Sequence, residues 1–160
     1  MESISLELHV LGQALLALLL GGVVGWERET AGKGVGLRTN MLVCLAAMMF
    51  VQAGEFLIMH VDAKVHIAAL RTDPVRVIEA IVTGISFIGA GTVFRDRQDH
   101  PAHGLTTAAA LLAVATIGIS VAVERYILAV GVTAMTLLVL RGVRQFEAHV
   151  RKPGATTKDE

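Results

Sequence analysis

Two carboxylates are the residues best placed to do chemistry. Glu55 and Glu79 each interrupt an otherwise apolar stretch. An ionisable group among apolar neighbours is costly and normally faces a protein interior or a water cavity. At one depth, the two could share a proton or bind a divalent cation through oxygen. The plainer reading places both at headgroup level, where they simply hydrate. Gln52, three residues before Glu55, is within reach on a helix. A second cluster, Glu27-Arg28-Glu29 followed by Lys33 and Arg38-Thr39, mixes both signs in a short span. These charges can pair across a loop or form a docking surface, and Gly32, Gly34 and Gly36 permit turns. Gly32-Lys33 is not a phosphate-binding loop, because the Gly-x-x-x-x-Gly-Lys-Ser/Thr pattern cannot be laid over it. His100 and His103 are a weak metal pair with no further Cys or His nearby. The single Cys44 rules out a disulfide framework and reads as an inert buried thiol. There is no His-Glu-x-x-His, no Gly-x-Ser-x-Gly and no dinucleotide fingerprint. The expectation is a protein without catalysis or cofactor and with no confident metal site.

The elements that must position these groups follow from where charge is missing. Of 160 residues, 54% are hydrophobic and only 18% charged, with a mean hydropathy of +0.63. Uncharged runs cover 8–26, 39–54, 80–94, 100–123 and 126–140. Crossing a ~30 Å hydrocarbon layer takes about 20 residues of helix. The first and fourth runs meet that rule directly, and the others do so by including a charge or their flanks. Asp73 followed by Pro74 reads as a helix N-cap and first helical position. The spacing therefore predicts five helices, over 8–26, 40–60, 74–94, 105–123 and 126–143, with Arg141 reaching out to the interface. The fold expected is an all-α integral membrane bundle over residues 1–143, with a short polar tail over 144–160. A soluble bundle is disfavoured because five such runs leave too little polar surface; a re-entrant 126–140 is a milder alternative. The first run lacks a positively charged leading flank, so it reads as a span rather than a cleaved signal. Zero net charge gives no electrostatic case for nucleic acid, and the partner implied is the bilayer.

Lys and Arg counted over alternate connecting segments come to ten on one side and four on the other. The positive-inside rule then puts the N-terminus outside and the C-terminal tail in the cytoplasm. Small residues mark packing faces: Ala17, Gly21 and Gly25 on the first helix; Ala80, Gly84, Gly89 and Gly91 on the third; Thr106, Thr107 and Ala108 to Ala110 on the fourth. Contacts within the chain explain most of these, and a homodimer is a candidate for the rest.

Three stretches resemble the MgtC/SapB family of bacterial membrane proteins. They are Glu27-Arg28-Glu29 with Gly32-Lys33 and Gly36-Leu37-Arg38-Thr39; Asp73-Pro74-Val75-Arg76-Val77 with the run Gly84 to Gly91, including Gly89; and Gly104-Leu105-Thr106-Thr107-Ala108-Ala109 with Ile117-Gly118. Together they cover about residues 10–140, in the family's order. The resemblance implies a cytoplasmic-membrane protein of about five helices, in a short form without a soluble C-terminal domain. It also implies a link to growth at low magnesium and, in pathogens, to survival inside host cells, with the role of regulating other membrane proteins. The family often has His where Asn40 stands, Gln where Ala80 stands and a small residue where Glu79 stands, so Glu79 is not a family site.

Two functions compete. One is a non-enzymatic regulator that binds another membrane complex through helix faces and cytoplasmic loops. The other is a small Mg²⁺ or H⁺ carrier using Glu55 and Glu79. Orientation is tested independently of both: a reporter fused at Glu160 should behave as cytoplasmic, with green fluorescence and no alkaline phosphatase activity, and periplasmic behaviour would reverse the topology.

Overall fold

The structure of the protein, a computed structural model, describes residues 2–60, 73–95 and 101–150. They form five helices: α1 Glu2–Thr30, α2 Leu37–His60, α3 Pro74–Arg95, α4 Pro101–Ala122 and α5 Tyr126–Val150. No strand occurs among the described residues. Four helices are long and apolar enough to cross a membrane, over Ile4–Thr30, Leu37–Leu57, Pro74–Phe94 and Gly104–Ala122. The apolar part of α5, Tyr126–Gly142, is shorter, about 25 Å at ~1.5 Å per residue. Asp62, Lys64, Arg71, Arg97, His100 and the tail 151–160 lie outside the described residues, as does the side chain of His103.

The helices run past the ends expected from charge-free runs, because a helix continues into polar flanks until its backbone is stopped. α1 is stopped at Gly32. There φ is +66°, Lys33 N–H bonds Arg28 C=O and Gly32 N–H bonds Glu29 C=O, both at 3.0 Å. This pattern closes a helix on a left-handed residue, which glycine adopts without a Cβ penalty. Glu27, Arg28 and Glu29 therefore belong to the last turn of α1, not to a loop. The Glu29 carboxylate accepts the first N–H of the next helix, that of Leu37, at 2.8 Å. A like closure ends α4, where Arg125 N–H bonds Ser120 C=O and Glu124 takes φ 59°. Asp73 caps α3, its Oδ1 accepting from Val75 N–H at 3.0 Å, with Pro74 as first helical residue.

α4 is the hub and packs against all four other helices. Of its membrane stretch 56% is buried, against 17% for α3, which among the described helices touches only α2 and α4. The burial pattern is inverted relative to a soluble protein. Leu8, Leu11, Leu15 and Leu19 face outward on α1, while Gln13, Ala17, Gly21, Gly25 and Arg28 face inward. Such a distribution fits a hydrocarbon surround, in which small residues let backbones approach and polar groups turn to one another.

Close approach is most acute at three glycines. A Cβ on Gly21 would sit 2.6 Å from Cys44 Cβ and 2.8 Å from Asn40 O, and one on Gly25 2.7 Å from Leu37 Cα. One on Gly118 would run into the Cys44 carbonyl oxygen and lie 3.1 Å from Ala47 Cβ. The small-residue stripe of α1 is thus spent within the chain, on α2. Gly118→Ala should separate α2 from α4 and cost about 1–3 kcal/mol, whereas Gly12→Ala, with nothing within 4 Å, should not. Cys44 is the single cysteine and fully buried, so a thiol-reactive dye on heated, detergent-solubilised protein reads the difference directly. An unchanged midpoint for Gly118→Ala would show that the contact does not set the packing.

Candidate functional site

Parts of the three stretches singled out from the sequence, Glu27 to Thr39, Gly89 and Gly104 to Thr107, meet at one end of the bundle. α1 ends there, α2 and α4 begin there, and α3 ends there, with Thr92 Oγ1 donating to Gly89 O at 2.7 Å and Gly104 O at 3.4 Å. Gly104 abuts the backbone of Val93, and Gly89 abuts Ala108. Across this end, Arg28 Nη2 donates to Thr107 Oγ1 at 2.8 Å, joining α1 to α4. Glu27 and Arg28 are each only 3% exposed, and the Glu27 carboxylate supplies favourable charge to the guanidinium beside it. Asn40 is equally buried. Its Nδ2 donates to Gly36 O at 2.8 Å, folding the α1–α2 loop onto the start of α2.

Three buried polar atoms are without a partner among the described residues: Glu27 Oε2, Arg28 Nε and Asn40 Oδ1. Buried polar groups are nearly always paired. The end of the bundle therefore keeps spare acceptors and a spare donor. Among the described residues no three His, Cys, Asp or Glu gather as metal ligands. The arrangement ties α1 to α4 and to the loop that precedes α2.

The remaining residues of this group are peripheral. Glu29, Arg38, Thr39 and Thr106 are exposed, and Lys33 is half-buried. Asp73, Pro74 and Arg76 are exposed at the opposite end of α3, and Gly84 and Gly91 face open space. Glu55 and Glu79 both lie on the outer surface rather than in the bundle. Gly54 abuts Val77, which brings the two acids to a similar level.

A second polar network, at the far end, was not anticipated from the sequence. Gln52 Nε2 donates to Gln13 Oε1 at 2.8 Å and to Ala122 O at 3.1 Å, and Gln13 Nε2 donates to Tyr126 Oη at 3.2 Å. Gln52 thus serves α1 and the carbonyl end of α4, not Glu55. The available signal was Gln13 itself, a lone amide in a long apolar run, which must find a partner in lipid. His9 Nε2 and Glu124 Oε1, 3.0 Å apart, add an exposed pair at this end.

Helices with apolar outer faces and polar groups turned inward define a multi-pass integral membrane protein. The comparisons specify it further. The chain matches the MgtC family over residues 14–149. It is 36% identical over 131 residues to the Escherichia coli K12 protein named "Putative magnesium transporter YhiD", covering 82% of this chain and 59% of that one. It is 37% identical over 103 residues to Protein MgtC of Brucella abortus strain 2308 (64% and 38% covered), and 32% over 108 residues to Protein SapB of Bacillus subtilis strain 168 (66% and 44% covered). No solved structure matches. The chain belongs to the MgtC family and is a multi-pass protein of the bacterial inner membrane; it spans under two thirds of the length of these relatives.

The charge pair yields a clear expectation. Removing Arg28 breaks its buried 2.8 Å bond to Thr107 and takes away the positive charge near the Glu27 carboxylate; a hydrogen bond to a charged group is worth about 1.5–3 kcal/mol. Arg28→Met should therefore lower the unfolding midpoint sharply, and Glu27→Gln combined with Arg28→Met should recover part of the loss. A double-mutant cycle in detergent with no coupling between the two positions would remove the pair from the account.

Proposed function

We propose that the protein is a non-enzymatic regulator of another membrane complex, acting when magnesium is scarce. The observation that supports this reading is the layer between the two polar ends. Ala17, Val24, Cys44, Met48, Leu111, Val114, Ile117 and Val121 are all fully buried there. They fill the bundle with apolar side chains, and interiors packed in this way leave no continuous room for water. The hydroxyls in or near this layer turn back on their own helices, Ser120 to Thr116 O at 2.7 Å and Thr133 to Ala129 O at 2.8 Å. An ion crossing here would meet no exchangeable ligand in the middle of its path. With the N-terminus outside, the Glu27–Arg28–Asn40 end and its loop face the cytoplasm, where a regulated complex can engage them. Survival within host cells, which the family resemblance carries, is one setting in which magnesium is limiting.

The name carried by YhiD favours a second reading, a carrier for Mg²⁺. Proteoliposomes loaded with a magnesium-sensitive dye, and a second set with a pH dye, separate the two. The regulator reading expects no flux above empty vesicles. It also expects a deletion strain with poor growth in limiting magnesium, rescued by the wild type and equally by Glu55→Gln or Glu79→Gln. Flux abolished by Glu79→Gln would overturn it in favour of the carrier.

A further inference from the structure

The short turn between α4 and α5 is held by α2 and twice by α1. Gln52 of α2 donates to Ala122 O at 3.1 Å, and Gln13 of α1 donates to Tyr126 Oη at 3.2 Å. His9, one turn of α1 beyond Gln13, has its Nε2 3.0 Å from Glu124 Oε1. Gln13 is buried, whereas the His9 and Glu124 side chains are 49% and 62% exposed. The two amide contacts do not change with pH. The third pairs an imidazole with a carboxylate, and imidazole is the side chain whose ordinary titration falls between pH 5 and 8. The outermost contact is thus the one that acidity can alter.

A second, independent feature singles out the carboxylate. Glu124 takes φ 59°, and among the described residues it is the one non-glycine with positive φ. A residue with a Cβ enters that region at a cost that glycine does not bear. Its backbone does what a glycine would do there: the next N–H, that of Arg125, closes the helix on Ser120 O at 2.9 Å. Gly32 performs the same closure at the end of α1. What glutamate adds at this position is a carboxylate in contact with His9. Strain kept at one position is a ground for inferring a role there. The other charged or titratable groups at this end are Glu7 on α1, Glu55 on α2, Arg125 in the turn and Tyr126 on α5, all exposed. Glu55 stands near the level of His9, because Gln52, three residues before it, meets Gln13, four residues after His9.

We propose that His9 and Glu124 form a latch between α1 and the α4–α5 turn that tightens in acid. An ordinary carboxylate is ionised above about pH 4.3, and an ordinary imidazole is charged below about pH 6.5. Between those limits a His–Glu contact is an ion pair with a charge-assisted hydrogen bond. Above them it keeps at most a hydrogen bond from a neutral ring, and below them the carboxylate loses its charge. The added hold is therefore present below the imidazole range, is lost as pH rises through it, and is lost again in strong acid. On the orientation that the positive-inside count predicts, this end faces outward, where pH follows the medium. The latch then sets how freely the outer end of α1 parts from the turn. The inference is independent of whether the protein regulates or carries.

Hydrogen exchange at the Arg125 amide tests it, because that N–H closes the turn on Ser120 O and is remote in sequence from His9. The full chain in lipid nanodiscs is compared with His9→Gln, Glu124→Gln, the double variant and, as a control, Glu55→Gln. Each variant is measured against wild type at the same pH, so the intrinsic pH dependence of exchange cancels. All three positions are exposed, so substitution leaves the buried packing intact. His9→Gln should speed exchange about two- to fivefold near pH 5.5, the scale of an exposed pair, and by clearly less near pH 8. Glu124→Gln should do the same, the double variant should add nothing to either, and Glu55→Gln should leave the rate unchanged. No change in either single variant, the same ratio at both pH values, or additive effects in the double variant would each overturn the latch. An equal response to Glu55→Gln would overturn it too, assigning the pH dependence to the acidic surroundings of this end rather than to the pair.

Discussion

Backbone-to-backbone approach holds this protein together. In lipid there is no water to expel from between helices, so association rests on van der Waals fit and on polar groups that cannot be satisfied elsewhere. Gly21 and Gly25 bring α1 onto α2, and Gly118 brings α4 onto α2. Each allows two backbones to meet where any side chain would hold them apart. The leucines that would build a soluble core instead face outward on α1. They gain nothing from touching protein rather than acyl chain, and that indifference leaves the interior to small residues.

The same constraint explains where the polar residues went. Charged groups inside a bundle are costly unless other groups answer them, and α1 keeps Glu27 and Arg28 inside at its end, with Arg28 donating to Thr107. Interhelical hydrogen bonds in membranes are worth about 0.6–2 kcal/mol each, a modest amount compared with the cost of a lone buried charge. Arg28 to Thr107 and Gln52 to Gln13 therefore fix register more than they supply stability. Placed about 22 Å apart along α1 at ~1.5 Å per residue, they set its depth and rotation against α2 and α4. The apolar layer between them can then pack in one way.

Much of this was legible in the sequence, for a physical reason. Hydrocarbon thickness sets helix length, so charge-free runs give the five helices, although α1 begins well before residue 8 and α5 runs on past residue 143 to Val150. Asp73 before Pro74 marks the start of α3 because capping chemistry is local. Arg28 was less legible, because charge near a helix end reads as interface. Yet the progression Ala17, Gly21, Val24, Arg28 follows helical periodicity and places the guanidinium on the buried side. The Gln13–Gln52–Ala122–Tyr126 network was beyond reach. It joins residues far apart in the chain, and their common depth is decided only when α4 inserts between its neighbours.

Coverage of the helices is uneven, and the unevenness carries meaning. α1, α2 and α4 spend their buried glycines on close contacts within the bundle, and what α1 and α2 present outward is largely leucine, methionine and phenylalanine. Such a surface cannot distinguish a protein from the lipid it replaces, so it cannot select a partner. Recognition within a membrane needs groove shape or unsatisfied polar groups. Among the described residues, α3 is the least buried of the four long apolar helices, and its outer side mixes Thr83, Ser86 and Ala90 with Phe87 and Phe94.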